Sequence, residues 1–345
     1  MGETDRPGGA PPDRDALPGV AAGRDRPWSR HRARHRRGRG GERPMVPKAE
    51  FTSYYGRPVI KRPVWNSLDI AGYLFLGGLA GASSVLGAGA DLTGRPTLAR
   101  GAKVGAAGAL GLAAVALVHD LGRPARFLNM LRVVKPSSPM SVGSWLLAAY
   151  GPLAAGAAAS SVTGWLPRAG RLATLGAAAT GPLVAAYTAA LISDTAVPAW
   201  HEAYREMPFV FVGSAATAAG GLGLLVARAP ENGPACGFAA AGAATELTAV
   251  RLLKRRLGVV GEPYETGRSG RLLRAAETLS AAGLGCALLG RRSRALSALS
   301  GAALLAGSAA SRFGIFEAGL VSADDPKYTV LPQRDRLRGA AGAAR

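Results

Sequence analysis

Between residues 68 and 311 the chain repeats one pattern eight times: a run of roughly twenty residues with few or no charges, then a short, mostly basic connector. Residues 70–90 are 21 positions without a charge. Further runs lie at 98–120, near 141–161 within the uncharged stretch 136–167, and at 172–193, 207–227, 232–250, 272–290 and 295–311. Each approaches the roughly 20 residues that a helix needs to cross a hydrocarbon core about 30 Å thick. Lipid offers the backbone no hydrogen bonds, so such runs must satisfy themselves as α-helices. The pattern predicts an all-α integral membrane protein with about eight transmembrane helices. The runs at 98–120, 232–250, 272–290 and 295–311 are Ala-rich and only weakly apolar. Their small residues suit close helix packing instead, as at Gly77 and Gly81 or at Gly101, Gly105 and Gly108.

The formal net charge is +20, although only 19 % of residues are charged. In a soluble chain that excess would point to nucleic acid. Here it sits in a basic tail and in connectors, the arrangement that orients a membrane protein, so the expected surroundings are a lipid bilayer and no nucleic acid. The residues before the first run, the even-numbered connectors and the stretch from Arg312 carry 33 Lys and Arg, against 9 in the odd-numbered connectors. Without residues 1–44 the ratio is 22 to 9. The bias places both termini in the cytoplasm of a multi-pass cell-membrane protein, although Arg291, Arg292 and Arg294 lie on the other side.

Residues 1–64 read as a disordered basic tail, 65–318 as the membrane domain and 319–345 as a cytoplasmic C-terminal tail. Residues 1–44 precede Met45 and lack the apolar core of a secretory signal. They are either an over-long gene start or a true tail that touches anionic lipid. Cys236 and Cys286 lie far apart in apolar runs and cannot hold an iron–sulfur cluster. Only four histidines occur, His31, His35, His119 and His201, and two of them are in the tail. That is too few for a bis-histidine haem inside a helix bundle, and no metal centre is expected in this chain.

Ionisable groups inside a span are expensive and therefore mark function first. Asn66, Asp69 and Tyr73 stand at i, i+3 and i+7, on one face of the first helix. An amide, a carboxylate and a phenol can bind and protonate a quinone carbonyl; the same residues can equally cap and anchor the helix. His119 and Asp120 end the second helix, and Tyr187 and Asp194 lie near the end of the fourth. The topology brings all of these towards one leaflet. Glu246 and Glu277 fall towards the same side near Arg251 and Arg274, as a buried ion-pair network or a proton path. Asp120, Asp194, Glu246 and Glu277 are the candidate proton relay.

Four strings carry a further signal. They are W-N-S-L-D at 65–69, D-L-G-R-P-A-R-F at 120–127, S-S-P-M-S-V-G-S-W at 137–145 and S-D-T-A-V-P-A-W at 193–200. As a set, over about residues 50–320, they resemble the NrfD/polysulfide-reductase membrane-subunit family. The resemblance implies eight helices in two four-helix bundles and a quinone-reactive membrane anchor without haem or an iron–sulfur cluster of its own. Its cofactor would be an exchangeable menaquinone or ubiquinone. Its partners would be a four-cluster ferredoxin-like iron–sulfur subunit and a molybdopterin catalytic subunit. The family's quinone pocket maps onto Asn66, Asp69 and Tyr187, and Tyr73 and His119 join them by position. Asp69 departs from the His of the best-described member. The connectors on the pocket's side supply Arg123, Arg126, Trp200, His201 and Arg205 as a docking face. The alternatives are an ion-coupled transporter using Glu246 and Glu277, or a purely structural anchor.

Overall fold

The computed structural model describes residues 59–121, 129–289 and 293–343. Proline sets the starts of many helices, because its fixed φ suits the first turn and its missing N–H has no intrahelical partner there. Six helices begin this way, at Pro96, Pro139, Pro167, Pro198, Pro208 and Pro234. The helices are α1 (Ser67–Leu92), α2 (Pro96–Asp120), α3 (Pro139–Thr163), α4 (Pro167–Ser193), a short α5 (Pro198–Glu202), α6 (Met207–Val226), α7 (Gly233–Leu257), α8 (Gly267–Leu289), α9 (Arg294–Asp324) and α10 (Lys327–Ala343). The protein is an all-helical membrane protein. Seven of these helices are long and apolar enough to span a bilayer: α1, α2, α3, α4, α6, α8 and α9. Of the eight expected, α7 has the length, at 25 residues, but falls short in apolarity.

Helices α1 to α4 pack as a ring of neighbours, and α6 to α9 form a second ring. The two meet chiefly where α1 and α4 lie against α6. This is the two-by-four arrangement expected from the resemblance. The second ring is not closed evenly, since α7 and α8 scarcely touch.

Charge alone misplaced three helix ends. α7 continues seven residues past the expected end at 250, α8 starts five residues before 272, and α9 runs on to Asp324 rather than stopping at 311. Lys254, Arg255 and Arg256 occupy the last turn of α7, where cations complement the helix dipole and long side chains reach outward. Arg312 is a different case: it stands inside α9 and is buried. It therefore belongs to the core and not to a terminal tail, and the boundary drawn at 318 falls within a helix. Glu246 and Glu277 consequently lie about three turns from their helix ends, deeper than the uncharged runs implied.

The tightest crossing joins α1 to α4. Gly81 and Gly181 face each other so closely that a Cβ on either would overlap the other's carbonyl. Without a hydrophobic drive between helices in lipid, such backbone approach is a main source of association. Gly101 and Gly105 of α2 likewise admit Val226 and Leu222 of α6, whereas Gly108 faces open space.

At the end away from residue 67, helix termini are capped by other helices. The Leu98 amide donates to the Glu231 carboxylate at 2.8 Å. Arg100 donates to Val162 O at 2.9 Å. Arg294 donates to Leu224 O at 3.0 Å and Ala227 O at 2.8 Å. These bonds satisfy terminal backbone groups that would otherwise be left in a low-dielectric setting. They also explain Arg294, which lies against the charge bias: it is engaged as a cap.

At the opposite end α5 forms a hub. Trp200 is 0 % exposed, stacks on Trp65 with centroids 5.9 Å apart, and donates from Nε1 to Ile315 O at 2.9 Å. Tyr264, in the 3₁₀ turn Gly258–Tyr264, donates to Ala199 O at 2.8 Å. Burial pushes its phenol well above the ordinary value, so it remains a donor.

Gly81→Leu is expected to destabilise the protein by about 1–3 kcal/mol or more, because the backbones cannot separate without breaking the crossing. Gly89→Ala, where a Cβ meets open space, should be neutral or slightly stabilising. Thermal unfolding in detergent of both variants checks the contrast.

Candidate functional site

Asn66 is the N-cap of α1, its side-chain oxygen accepting from the Leu68 amide at 3.0 Å. Its own backbone N–H donates to Asp120 Oδ1 at 3.3 Å, so the end of α2 helps to cap the start of α1. One turn in, Asp69 Oδ2 pairs with His119 Nδ1 at 2.9 Å. Asp69 is largely sheltered, and the His119 side chain is 74 % exposed. One further turn in, the buried Tyr73 hydroxyl hydrogen-bonds to the hydroxyl of Tyr187 on α4. Four of the sequence-derived residues, Asp69, Tyr73, His119 and Tyr187, therefore form two polar pairs stacked along α1, with Asn66 and Asp120 at the rim.

The reason Tyr187 fits is a glycine on a third helix. A Cβ at Gly143 of α3 would fall inside the Tyr187 ring. This is the glycine of the S-S-P-M-S-V-G-S-W string. The rest of that string secures the preceding connector: Ser141 Oγ donates to Val133 O at 3.0 Å, and Trp145 Nε1 to the same oxygen at 3.4 Å. The arrangement can hold a hydrogen-bond acceptor against two phenols and pass a proton between a sheltered carboxylate and an exposed imidazole.

Other expected residues fall elsewhere. Asp194 is exposed just beyond α4, and no contact joins it to the pairs among the described residues. Trp200 is a core residue and cannot face a docking partner, since its indole is packed between Trp65, ahead of α1, and Phe316 of α9. His201 and Arg205 are exposed at the same end as the polar pairs. His201 Nδ1 lies 3.2 Å from Ser193 O, and Arg205 donates to the Tyr204 hydroxyl at 2.9 Å. Arg123 and Arg126 lie outside the described residues.

A second polar cluster lies within the α6–α9 ring. Glu246 Oε1 accepts from Ser311 Oγ at 2.6 Å, and Ser214 and Ser308 hydroxyls bond at 2.8 Å. Arg312, 1 % exposed, stacks 3.8 Å from the Phe211 ring centroid and donates from Nη2 to Phe211 O at 2.5 Å. Its Nε and Nη1 find no protein partner among the described residues. Beside this cluster the loose α7–α8 seam opens a cleft of about 480 Å³, lined by Glu246, Glu277, Arg251, Ser280 and Ser311 among small apolar residues. Glu277 pairs with Lys254 at 3.8 Å, and Arg274 donates to Glu265 O, so the expected Arg partners are replaced. Arg312 escaped the sequence reading because its charge was taken as the end of a span. The apolar run that follows it, 313–316, was the signal that the helix continues.

A family model described as Polysulphide reductase, NrfD matches residues 58–232. That stretch contains α1 to α6 and both polar pairs, and it ends before α7. A search of curated proteins finds no match.

Gly143→Ala is expected to expel the Tyr187 ring and break the Tyr73–Tyr187 bond. The variant should reproduce the functional defect of Tyr187→Ala while leaving Asp69 and His119 paired. Activity in assembled membranes, measured beside a Tyr187→Ala control, checks this.

Proposed function

The chain belongs to the NrfD polysulphide reductase family, and on that footing we propose that it is the quinone-reactive membrane subunit of an oxidoreductase complex. In this reading it exchanges electrons between the membrane quinone pool and a ferredoxin-like iron–sulfur partner. That partner connects in turn to a molybdopterin subunit, where the substrate is turned over. The observation that carries the reading is the convergence of the Tyr73–Tyr187 and Asp69–His119 pairs from three helices at one end of the first ring.

The donor set suits a quinone. Two phenols that bond to each other can each turn to donate to a carbonyl oxygen. A bound menaquinone or ubiquinone would supply the two-electron, two-proton chemistry. The protein's share is proton handling and shape. Asp69 holds a proton acceptor beside the phenols, and the exposed His119 ring exchanges protons between Asp69 and the surface. Asp69 thus stands where the best-described member carries a histidine, and its partner His119 on α2 restores an imidazole to the site. His201, Arg205 and the adjoining connectors lie at the same end, where a cluster-bearing partner must sit to be near the quinone.

The charge bias supports a cytoplasmic position for this end and for both termini, and the capping role of Arg294 removes one count against it. A reporter fused after Arg345 is expected to be active in the cytoplasm; activity only outside would reverse the orientation.

Asp69→Ala should lower quinone-linked electron transfer by roughly 10²-fold, as loss of a positioned acid or base does. Tyr187→Phe should lower it by about tenfold, through loss of one donor. A structural anchor would keep full activity in both. Mild-detergent isolation from native membranes, with metal analysis, should recover iron and molybdenum or tungsten with the chain.

One observation favours a second reading. Glu246 and Glu277 line the α7–α8 cleft deep in their helices, as coupling carboxylates of an ion-translocating protein would. That protein would work without a redox partner and would lose ion flux in Glu246→Gln.

A further inference from the structure

At the end of the molecule away from the polar pairs, α1 and α3 finish and α2 and α4 begin. Two adjoining cavities open there. One, of about 470 Å³, is bordered by Arg168, Arg171, Ser160 and Ser161, with Leu92 and Leu175 as apolar walls. The other, of about 690 Å³, is bordered by Arg100, Arg228, Thr97 and Val104. They share Asp91, Lys103 and Ser161, and the Lys103–Asp91 ion pair forms the wall between them.

The charge in these cavities is uncompensated. Asp91 is the one acid lining either cavity, and Lys103 neutralises it. Arg100 is partly engaged with Val162 O. Arg168, Arg171 and Arg228 are exposed and make no hydrogen bond or ion pair among the described residues. The first turn of α4 also points its positive end here, and its N-cap position, Leu166, supplies no side-chain acceptor.

The depth of the site is marked independently. Trp165, on the turn between α3 and α4, is 79 % exposed, and Leu166 next to it and Leu92 at the end of α1 are exposed as well. An exposed Trp at a helix end sits at headgroup level, with apolar neighbours reaching towards the acyl chains. A polar ligand held here is therefore held among lipid headgroups, with apolar walls below the cations.

We infer that this paired basic pocket binds an anionic phospholipid with two phosphates, of the diphosphatidylglycerol type. One phosphate lies against Arg168, Arg171 and the start of α4, and the other against Arg100 and Arg228. Two cationic cavities on either side of an ion pair match two linked phosphates better than one. Arginine forks suit phosphate oxygens. The lipid would bridge Arg168 and Arg171 of α4 to Arg100 of α2 and to Arg228 beyond α6, beside the direct Arg100–Val162 and Lys103–Asp91 links at this end.

The test uses the full chain purified in detergent. Native mass spectrometry counts retained lipid, and thermal unfolding is followed with diphosphatidylglycerol, phosphatidylglycerol, phosphatidylcholine or inorganic phosphate added. One diphosphatidylglycerol per chain should be retained and should raise the unfolding midpoint, while phosphatidylcholine and inorganic phosphate leave it unchanged. At about 1 kcal/mol per cation, Arg228→Gln should weaken binding about fivefold and the double variant R168Q/R171Q about thirtyfold. Arg255→Gln, the same charge change on an exposed residue at the other end of the molecule, should leave binding unchanged. Equal retention by R168Q/R171Q and the parent chain would overturn the site. An equal midpoint shift with inorganic phosphate would make it a free-anion site and overturn the lipid. Phosphatidylglycerol matching the two-phosphate lipid at equal concentration would overturn the two-phosphate pairing. All four substituted arginines are exposed, so folding of the variants is preserved and the lipid count remains readable.

Discussion

The polar site depends on the crossing of α1 and α4 at Gly81 and Gly181. These two helices run antiparallel, and their backbones touch where neither residue carries a side chain. Tyr73 stands eight residues from Gly81, and Tyr187 six residues from Gly181, in the same direction along the bundle. At about 1.5 Å per residue the two tyrosines arrive at nearly the same height, roughly 10 Å from the crossing. A wider crossing would hold the phenols apart. The Tyr73–Tyr187 link is thus a consequence of glycine packing well below it. Gly143 adds the third condition by leaving α3 open to the Tyr187 ring. Three glycines on three helices set the distance between two hydroxyls.

The second ring follows a different logic. Its members α6 and α9 are close-packed, but α7 and α8 hardly meet, and the seam between them exposes carboxylates at depth. Such groups are costly unless paired or hydrogen-bonded. Glu246 is held by Ser311, and the fully buried Arg312 lies nearby with its guanidinium on Phe211 and a carbonyl. Two of the Arg312 nitrogens still lack acceptors among the described residues, which is the pattern of a site that holds water. The first ring concentrates its polar groups at one end, and the second carries them inside. The two halves of the molecule are therefore not repeats of one design, and the family match, which ends at residue 232, covers the half with the tyrosines.

Much of the fold was legible in the residues. Runs with few charges located the eight long helices of the two rings, since a bilayer leaves a chain no other way to satisfy its backbone, whereas α10, charged and read as part of a tail, was missed. The spacing of Asn66, Asp69 and Tyr73 identified the polar face of α1, and the topology placed Tyr187 at the depth of Tyr73 and His119 in the same leaflet. The failures share one cause. Charge was read as leaving the membrane, yet a charged side chain can stay within a helix by reaching its end or by burial against partners. Lys254, Arg255 and Arg256 illustrate the first route and Arg312 the second. Trp200 failed for a related reason: a Trp in a polar connector looked like a surface residue, but Trp65 and Phe316, distant in sequence, close over it.

By itself the sequence determined that this chain is a bundle of membrane helices with a polar face at the start of the first. Local rules suffice for that, because hydrocarbon thickness, helix rise and proline geometry act on contiguous residues. Only the tertiary structure decided which polar residues meet. Asp69 found His119 fifty residues away, Tyr73 found Tyr187 across a glycine crossing, and Arg312 was drawn into a core. Those pairings depend on helix rotation and separation, which are set by small-residue contacts between segments remote in the chain.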